Sequence, residues 1–431
     1  MIPVIYQGSV KEVLGPVPIQ QKKAVVFNYT DAYSVFDWGR MPDTISLKGQ
    51  ALAIVMAEIF ERLGRPSAWE EFSKTKTAQK LRAGIHDLPD QLSNSPERKR
   101  VQPQSMASQF NEMGERLKQD GLKTHYLGVI TDQEAAEKWP DKKLSVVSVG
   151  DLKNVQMKTA RFHQVAVSQV NVNPPVRRTV LGKQVLDYAF ARSLNFPKLV
   201  PCEFIFRYRL PEASSLRKRL QGDSKELDTL ALPRSLTYDR IINGASFEFP
   251  IIELSTKLEP QDRKLHFQEA MVLSNLSAEA FESVLMMTIW VSGFLKHWME
   301  ERGFELADGK FEWAQTESGE FILVDALGLD EFRVQRQGVE LSKEVLRSFY
   351  RKTSWYEGVR RAQKKALEVG EIEWKRKVVE QPQSLPKELL EIISQLYQAF
   401  TNEFTDHLWF PEAWSMEQVI EALGKLHGET S

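Results

Sequence analysis

The chain has 431 residues, 42% of them hydrophobic and 27% charged, with a formal net charge of −1. That is enough apolar material for two or three domains with a real core, and the even charge balance excludes a built-in attraction to nucleic acid or anionic membrane, which favours small substrates. A single cysteine, Cys202, excludes an intrachain disulfide framework and fits a reducing, cytoplasmic setting, while the absence of any apolar run of about 18 residues argues against a membrane span.

In chain order, "PVIY", "KEVL" and "AVVFNY" read as short strands, with Gly15-Pro16 as a turn, so an antiparallel sheet is expected to open the protein. "GQALAIVMAEIFERLG" carries apolar residues at helical spacing and stops at Gly64. From about 70 to 120 the composition turns polar and charged, "DLPDQLSNSPERKRVQPQS" has no period, and a helix follows at "MASQFNEMGERLKQ". This stretch reads as an inserted surface segment. Strand-like pieces return at "KLSVVSVGDL" and "FHQVAVSQVNV", and "CEFIFRYRL" alternates strongly before the polar "PEASSLRKRL". A long helix is expected over "AEAFESVLMMTIWVSGFLKHWMEER", capped by Ser277 and ended by Gly303. Beyond about residue 340 the chain is helical and charged, with "QPQSLPKE" as a break before "LLEIISQLYQAFTNEFTDHLWF". Strands and helices that do not strictly alternate predict an α+β fold.

The densest charge pattern is "LADGKFEWAQTESGEFILVDALGLDEFR". In a strand, Asp308, Lys310 and Glu312 project from one face while Phe311 and Trp313 point to the other. A two-residue loop at Ser318-Gly319 would set Glu312 directly opposite Asp325; a three-residue loop would turn Asp325 to the other face. Two facing carboxylates repel unless one protonates or a cation intervenes, and Mg²⁺ suits a site of one or two carboxylates completed by water and phosphates. Lys310 could then hold a phosphate or carboxylate oxygen. Weaker candidates are "YQGSVKEVL", where Gly8 lets backbone approach phosphates and Lys11 neutralises them, and "FIFRYRLPEASSLRKRL", where Arg207, Ser215 and Arg219 gather anion donors. "STKLEPQDRKLH" places Lys257, Glu259, Asp262 and His266 in one loop, by default a solvated one.

In this order the stretches resemble the phosphoribosylaminoimidazole-succinocarboxamide synthase (SAICAR synthetase) family. "YQGSVKEV" resembles its opening Y-x-G-K-x-K-x-V, with Ser9 at the first lysine. Asp31, Ser34, Asp37, Lys48 and Gly49 match its D-x-x-S-x-x-D and K-G. "EFIFRYRLPEASSLRKR" approaches E-V-x-V-R and G-S-L-x-K-R through Glu203, Arg207, Ser215 and Arg219, with two extra residues and Ser214 in place of glycine. Asp308, Lys310, Glu312, Asp325, Asp330 and Arg333 keep the spacing of D-x-K-x-E-F and D-E-x-x-P-D-x-S-R, and Lys343 and Arg347 that of D-K-x-x-x-R.

The resemblance implies a two-lobed, ATP-grasp-like or kinase-like α+β fold with antiparallel sheets and a C-terminal helical segment. The nucleotide lobe would span residues 1–200, with insertions near 65–120 and 135–195, the catalytic lobe 201–340, and the helical region 341–431. It implies a ligase of purine biosynthesis that joins L-aspartate to carboxyaminoimidazole ribotide with ATP and Mg²⁺, without nucleic acid or membrane partners and with room for a homo-oligomer. Glu312 and Asp325 would hold Mg²⁺, and Gly8, Lys11, Glu203 and Lys257 the nucleotide. Asp308, Lys310 and Arg333 would be catalytic, while Asp37, Arg207, Ser215, Asp330, Lys343 and Arg347 would contact substrate. Three departures, Ala326 for an acidic residue, Leu329 for proline and Phe332 for serine, imply a reshaped acceptor subsite, and Gln261-Asp262 replaces the usual His-Asp. A divergent amide ligase, a small-molecule kinase and a non-catalytic nucleotide-binding relative remain open alternatives.

Overall fold

Three strands, β1 (Val4–Gln7), β2 (Lys11–Ile19) and β3 (Lys22–Tyr29), open the chain in the computed structural model, which describes residues 1–88, 105–154, 162–212, 214–259, 262–369 and 374–428. Gly15 and Pro16 do not end a strand as expected: β2 runs through them, two residues opposing one on β3 as a bulge. The turn falls instead at Gln20 and Gln21, both at positive φ, a two-residue hairpin loop that the usual Asn-Gly signal does not mark.

Helix α1 (Lys48–Leu63) follows, its first N–H groups capped from a distance by Asp31, whose carboxylate accepts from Leu47 N (3.2 Å) and Gly49 N (2.9 Å). Residues 65–88 and 105–120 then correct the expectation of a surface insertion. They form α2 (Pro66–Ser73), α3 (Lys76–Asp87) and α4 (Met106–Asp120), and Trp69, Phe72, Leu81 and Phe110 are buried, Phe110 stacked at 4.6 Å on Trp290. Their apolar residues are few but fall on one helical face, so a polar composition conceals a packed one. The aperiodic stretch over 89–104 lies outside the described residues.

Next come β4 (Tyr126–Ile130), α5 (Gln133–Glu137), α6 (Val149–Asn154) and β5 (Gln164–Ser168), so "VGDL" is helical where a strand was expected. The first sheet has the order β1-β2-β3-β5-β4. An exposed hairpin, β6 (Val176–Val180) and β7 (Lys183–Asp187), precedes β8 (Lys198–Leu199) and β9 (Cys202–Arg207). Helices α7 (Ser215–Gly222) and α8 (Tyr238–Ile242) lead to β10 (Ile251–Thr256), β11 (Lys264–Leu265) and α9 (Phe267–Ser274).

The long helix α10 (Ala278–Glu300) is capped by Ser277, whose hydroxyl accepts from Ala280 N, and Gly303 at φ 74° turns the chain out of it. It is long and apolar enough to cross a membrane by length and composition, but 61% of that window is buried in the protein, as a core helix requires. Strands β12 (Glu305–Gln315), β13 (Phe321–Val324), β14 (Phe332–Arg336) and β15 (Val339–Glu340) complete a second sheet of order β11-β10-β9-β12-β14-β15, with β13 and β8 on the far half of β12. The chain ends in α11 (Glu344–Tyr350), α12 (Ser354–Val369), α13 (Lys387–Thr405) and α14 (Met416–Gly428).

Alternation along the second sheet decides everything that follows. Phe204 and Phe206 on β9, Ile252 and Leu254 on β10, and Phe311 and Trp313 on β12 enter the main core, where Trp313 donates to Thr288 on α10 at 3.1 Å. Their neighbours, necessarily on the opposite face, are the charged residues.

Candidate active site

Cross-strand register lines the charges up. Asp308 pairs with Arg207 on one side and Arg333 on the other, Lys310 pairs with Ile205, and Ser255 pairs with Glu203. Along this face the charges divide into a lysine end and an arginine end.

At the lysine end, Lys310 Nζ lies 2.5 Å from Glu203 and 3.4 Å from Glu312, and Lys257 Nζ lies 2.6 Å from Glu312 and 3.4 Å from Glu203. Ser255 donates to Glu203 at 3.1 Å, and Lys11, from β2 of the other sheet, pairs with Asp325. The carboxylates of Glu203 and Glu312 are 8% and 5% exposed, whereas the three lysines are 19–30% exposed and form the solvent-facing rim. Asp262 and Glu331 also lie in this field.

The hairpin register differs from the expected one. A five-residue connection, Thr316–Glu320, pairs Glu312 with Val324, so parity alone would turn Asp325 away. Instead Asp325 adopts φ 65°, and that left-handed turn returns its carboxyl to Glu312. The conformation costs a non-glycine residue about 1–2 kcal/mol. It is comparable to the worth of one hydrogen bond, about 0.5–1.5 kcal/mol, so a single contact can decide it.

Burial, and then the Asp325 charge, push the Glu312 carboxyl up to about 7 against the pull of Lys257 and Lys310. Asp325 goes the other way: despite burial, Lys11 and Lys257 hold it well below the usual carboxylate range. Glu203 is likewise lowered, burial being outweighed by Lys310 and Lys257. Asp262, raised by burial and by Glu203 and Asp37, reaches about 7; Glu331, raised by burial, Asp330 and Asp325, reaches about 8. Lys257 and Lys310 are both held above their ordinary values, burial being overcome chiefly by Glu312 and Glu203 respectively. Three lysines thus serve five carboxyl groups, and three of the five are pushed up toward neutrality. Among the described residues no three His, Cys, Asp or Glu side chains form a metal cage. The adjacent Glu312–Asp325 carboxyl pair fits a hard dication that takes its remaining ligands from water and phosphate.

At the arginine end, Arg207 donates through Nε to Glu253 (2.6 Å) and through Nη1 to Asp308 (3.0 Å), and Arg333 donates to Asp308 (2.6 Å) and Glu344 (3.4 Å). Arg219 also binds Glu253, while Arg347 (3.2 Å) and Arg351 (2.5 Å) share Glu344. Charges alternate along this chain, which continues past Arg219 to Glu226 (3.1 Å), and its forked guanidiniums suit recognition of an anion. Glu253, Glu344 and Arg351 escaped sequence reasoning. Glu253 is the one charge in the apolar run "FPIIELST", and its parity with Ser255 is the signal that could have found it.

Other sequence candidates stand apart from these two groups. Asp330 is 3% exposed and held by Lys48 (2.9 Å), Tyr397 (2.6 Å) and Lys343 (3.7 Å), a buried tie between α1, the 325–331 loop and α13. Gly8 makes the tight β1–β2 turn, where a Cβ would lie 2.7 Å from Lys11 O. Asp37 is exposed at φ 57° and faces Asp262 across the site. Ser215 is exposed in the first turn of α7, and the buried cap is Ser214, which accepts from Arg217 N. The supposed acceptor-loop departures also need correcting. Phe332 is 3% exposed on the apolar face, filling a groove where a Cβ on Gly309 would come within 2.6 Å of its ring, and Ala326 and Leu329 are in the core. Strand parity sends Arg333 to the site and Phe332 away from it, so these exchanges repack the core and leave the charged face intact.

The profile of the SAICAR synthetase family matches residues 189–362. A protein of Archaeoglobus fulgidus provisionally named phosphoribosylaminoimidazole-succinocarboxamide synthase is 31% identical over 421 residues, covering 96% of this chain and 98% of the relative. The phosphoribosylaminoimidazole-succinocarboxamide synthase of Thermoplasma acidophilum is 28% identical over 219 residues, 49% of this chain and 69% of that protein. Among solved structures, SAICAR synthase from Saccharomyces cerevisiae in complex with SAICAR aligns with TM-score 0.49 and 17% identity over 95% of this chain and 96% of that one. With a near full-length relative above 30% identity, the chain belongs to the SAICAR synthetase family.

Proposed function

We propose that the protein is an ATP-dependent ligase that joins L-aspartate to the carboxylate of carboxyaminoimidazole ribotide, giving SAICAR, ADP and phosphate. The observation that carries this reading is the pairing, on one sheet face, of a charge-deficient lysine–carboxylate cluster with a preorganised arginine chain. A carboxylate resists amine attack, so its oxygen must first take the γ-phosphoryl group of ATP, with ADP leaving. The aspartate amine then attacks the acyl carbon, phosphate departs with the carboxylate oxygen, and the nitrogen sheds a proton. Such phosphoryl transfer relies on positioning and charge neutralisation.

In this reading Lys11 and Lys257, at the solvent-facing rim, neutralise the nucleotide phosphates, with Gly8 and Glu203 shaping that subsite. Glu312 and Asp325 would hold Mg²⁺, which when bound supplies charge neutralisation at the β- and γ-phosphates. Lys310 orients the reacting carboxylate, Asp308 fixes the planes of Arg207 and Arg333, and those arginines with Arg347 and Ser215 hold the ribotide anion. Asp37 faces the substrate, while Asp330 and Lys343 are proposed to act on substrate only through the loop they anchor. The division into lobes near residue 200, with the nucleotide between them, belongs to the same proposal.

The test is ADP release with ATP, Mg²⁺, carboxyaminoimidazole ribotide and aspartate, omitting each in turn. Turnover that requires all four, with SAICAR formed in equal amount, is expected. ADP release undiminished without aspartate would make the protein a small-molecule kinase instead.

A further inference from the structure

Asp325 sits in the left-handed backbone region at φ 65°, and one side chain from beside the first sheet reaches its carbonyl oxygen. His125, just before β4, places Nε2 3.1 Å from Asp325 O. Its ring is held edge-on by Phe27 (5.5 Å) and Phe60 (5.4 Å), and it is 2% exposed. The backbone around it is tied to the same hairpin: His125 N donates to Leu323 O (3.1 Å), Leu323 N to Lys123 O (3.1 Å), and Lys123 pairs with Glu320 at 2.6 Å. A carbonyl can only accept, so the imidazole must carry its proton on Nε2.

We infer that His125 is a positioning residue: by donating to the Asp325 carbonyl it locks the left-handed turn that sets the Asp325 carboxylate beside Glu312, and so sets the affinity for the divalent cation. Partners that orient metal ligands from behind commonly govern affinity in this way. The inference rests on the proposed metal role of Glu312 and Asp325, and it adds His125, beside β4, to Lys11 as a second side chain reaching the site from the first sheet's side. Lys11, from the first sheet, meets the carboxylate of Asp325 while His125 meets its carbonyl.

The experiment is Mn²⁺ binding to the protein with ADP, read by electron paramagnetic resonance without turnover, for Asp325→Asn, His125→Gln and His125→Leu. Asp325→Asn is expected to abolish binding. His125→Leu, which keeps the apolar packing but loses the donor, is expected to weaken it about 10-fold or more, and His125→Gln, whose amide can still donate, to stay within about threefold of wild type. Retained Mn²⁺ affinity in Asp325→Asn would remove the metal assignment and the inference together. Loss in Asp325→Asn with wild-type affinity in His125→Leu would overturn the inference alone, as would equal weakening by Gln and Leu. Should the Leu variant not fold, nitrogen NMR of the wild-type ring decides: an Nε2–H tautomer supports the inference, and an Nδ1–H tautomer overturns it.

Discussion

The two ends of the charged sheet face solve opposite problems. At the arginine end each buried carboxylate is bracketed by guanidiniums in fixed forks, and Asp308 accepts from both Arg207 and Arg333. At the lysine end the cations are point charges at the rim, and carboxyls such as Glu312 and Glu331 are pushed up by burial and by neighbouring carboxylates. Planar donors preorganise recognition of a substrate that keeps its charge, whereas flexible ammonium groups can leave one partner for an arriving phosphate. One face is therefore rigid where it recognises and electrostatically unsatisfied where charge must move.

The contrast can be broken at either end. The largest effect is expected from Asp325→Asn, which should lower turnover by about 10³-fold, close to 4 kcal/mol of barrier, in a steady-state ADP assay while leaving the melting temperature within a few degrees. Asp308→Ala should act mainly on stability. It takes one of two carboxylate partners from each of two buried guanidiniums, leaving Glu253 and Glu344, and is expected to cost about 3 kcal/mol in urea unfolding. Phe332→Ser, which installs the residue usual in the family, empties the groove beside Gly309; about 3 kcal/mol of stability should be lost, with no gain in affinity for the ribotide.

The smallest effect is a pH dependence. Carboxyls raised from about 4.5 to about 7 or 8 bind more protons folded than unfolded across that window, so their contribution to stability falls as pH rises through it. Asp325 and Glu203, which are lowered, have given their full contribution above about pH 5 and stay constant there. Buried neutral His125 works oppositely, but only below about pH 6.5. Glu331→Gln should therefore gain in melting temperature over wild type as pH rises from 6.5 to 8.5; a constant difference would show that Glu331 titrates normally.

Much of this was legible in the sequence. Period-two alternation correctly placed Asp308, Lys310 and Glu312 on one face and Phe311 and Trp313 on the other, and Ser277 and Gly303 bounded α10. The illegible parts had specific causes. Asp325 reached Glu312 through a positive φ that no residue pattern announces, and Gln20-Gln21 formed a turn usually marked by Asn-Gly. Helices α2 to α4 were concealed by polar composition, although a narrow stripe through Trp69, Phe72 and Leu81 was enough to bury them. His125 acts through a partner distant in the chain, which spacing cannot reveal, whereas Glu344 has its partners Arg333, Arg347 and Arg351 close in sequence and was simply overlooked. Phe332 was misjudged for a different reason: its neighbour Arg333 faces the site, and parity alone should have sent Phe332 to the core.

The division of labour itself is tested most directly by calorimetric titration of two variants, Lys257→Gln and Arg333→Lys, each with Mg²⁺–ADP and with carboxyaminoimidazole ribotide. The lysine variant should lose about 10-fold or more in nucleotide affinity and keep its ribotide affinity within twofold, and the arginine variant should do the reverse. If both variants weakened both ligands equally, the sheet face would be a single undivided charge network and the two-ended description would be wrong.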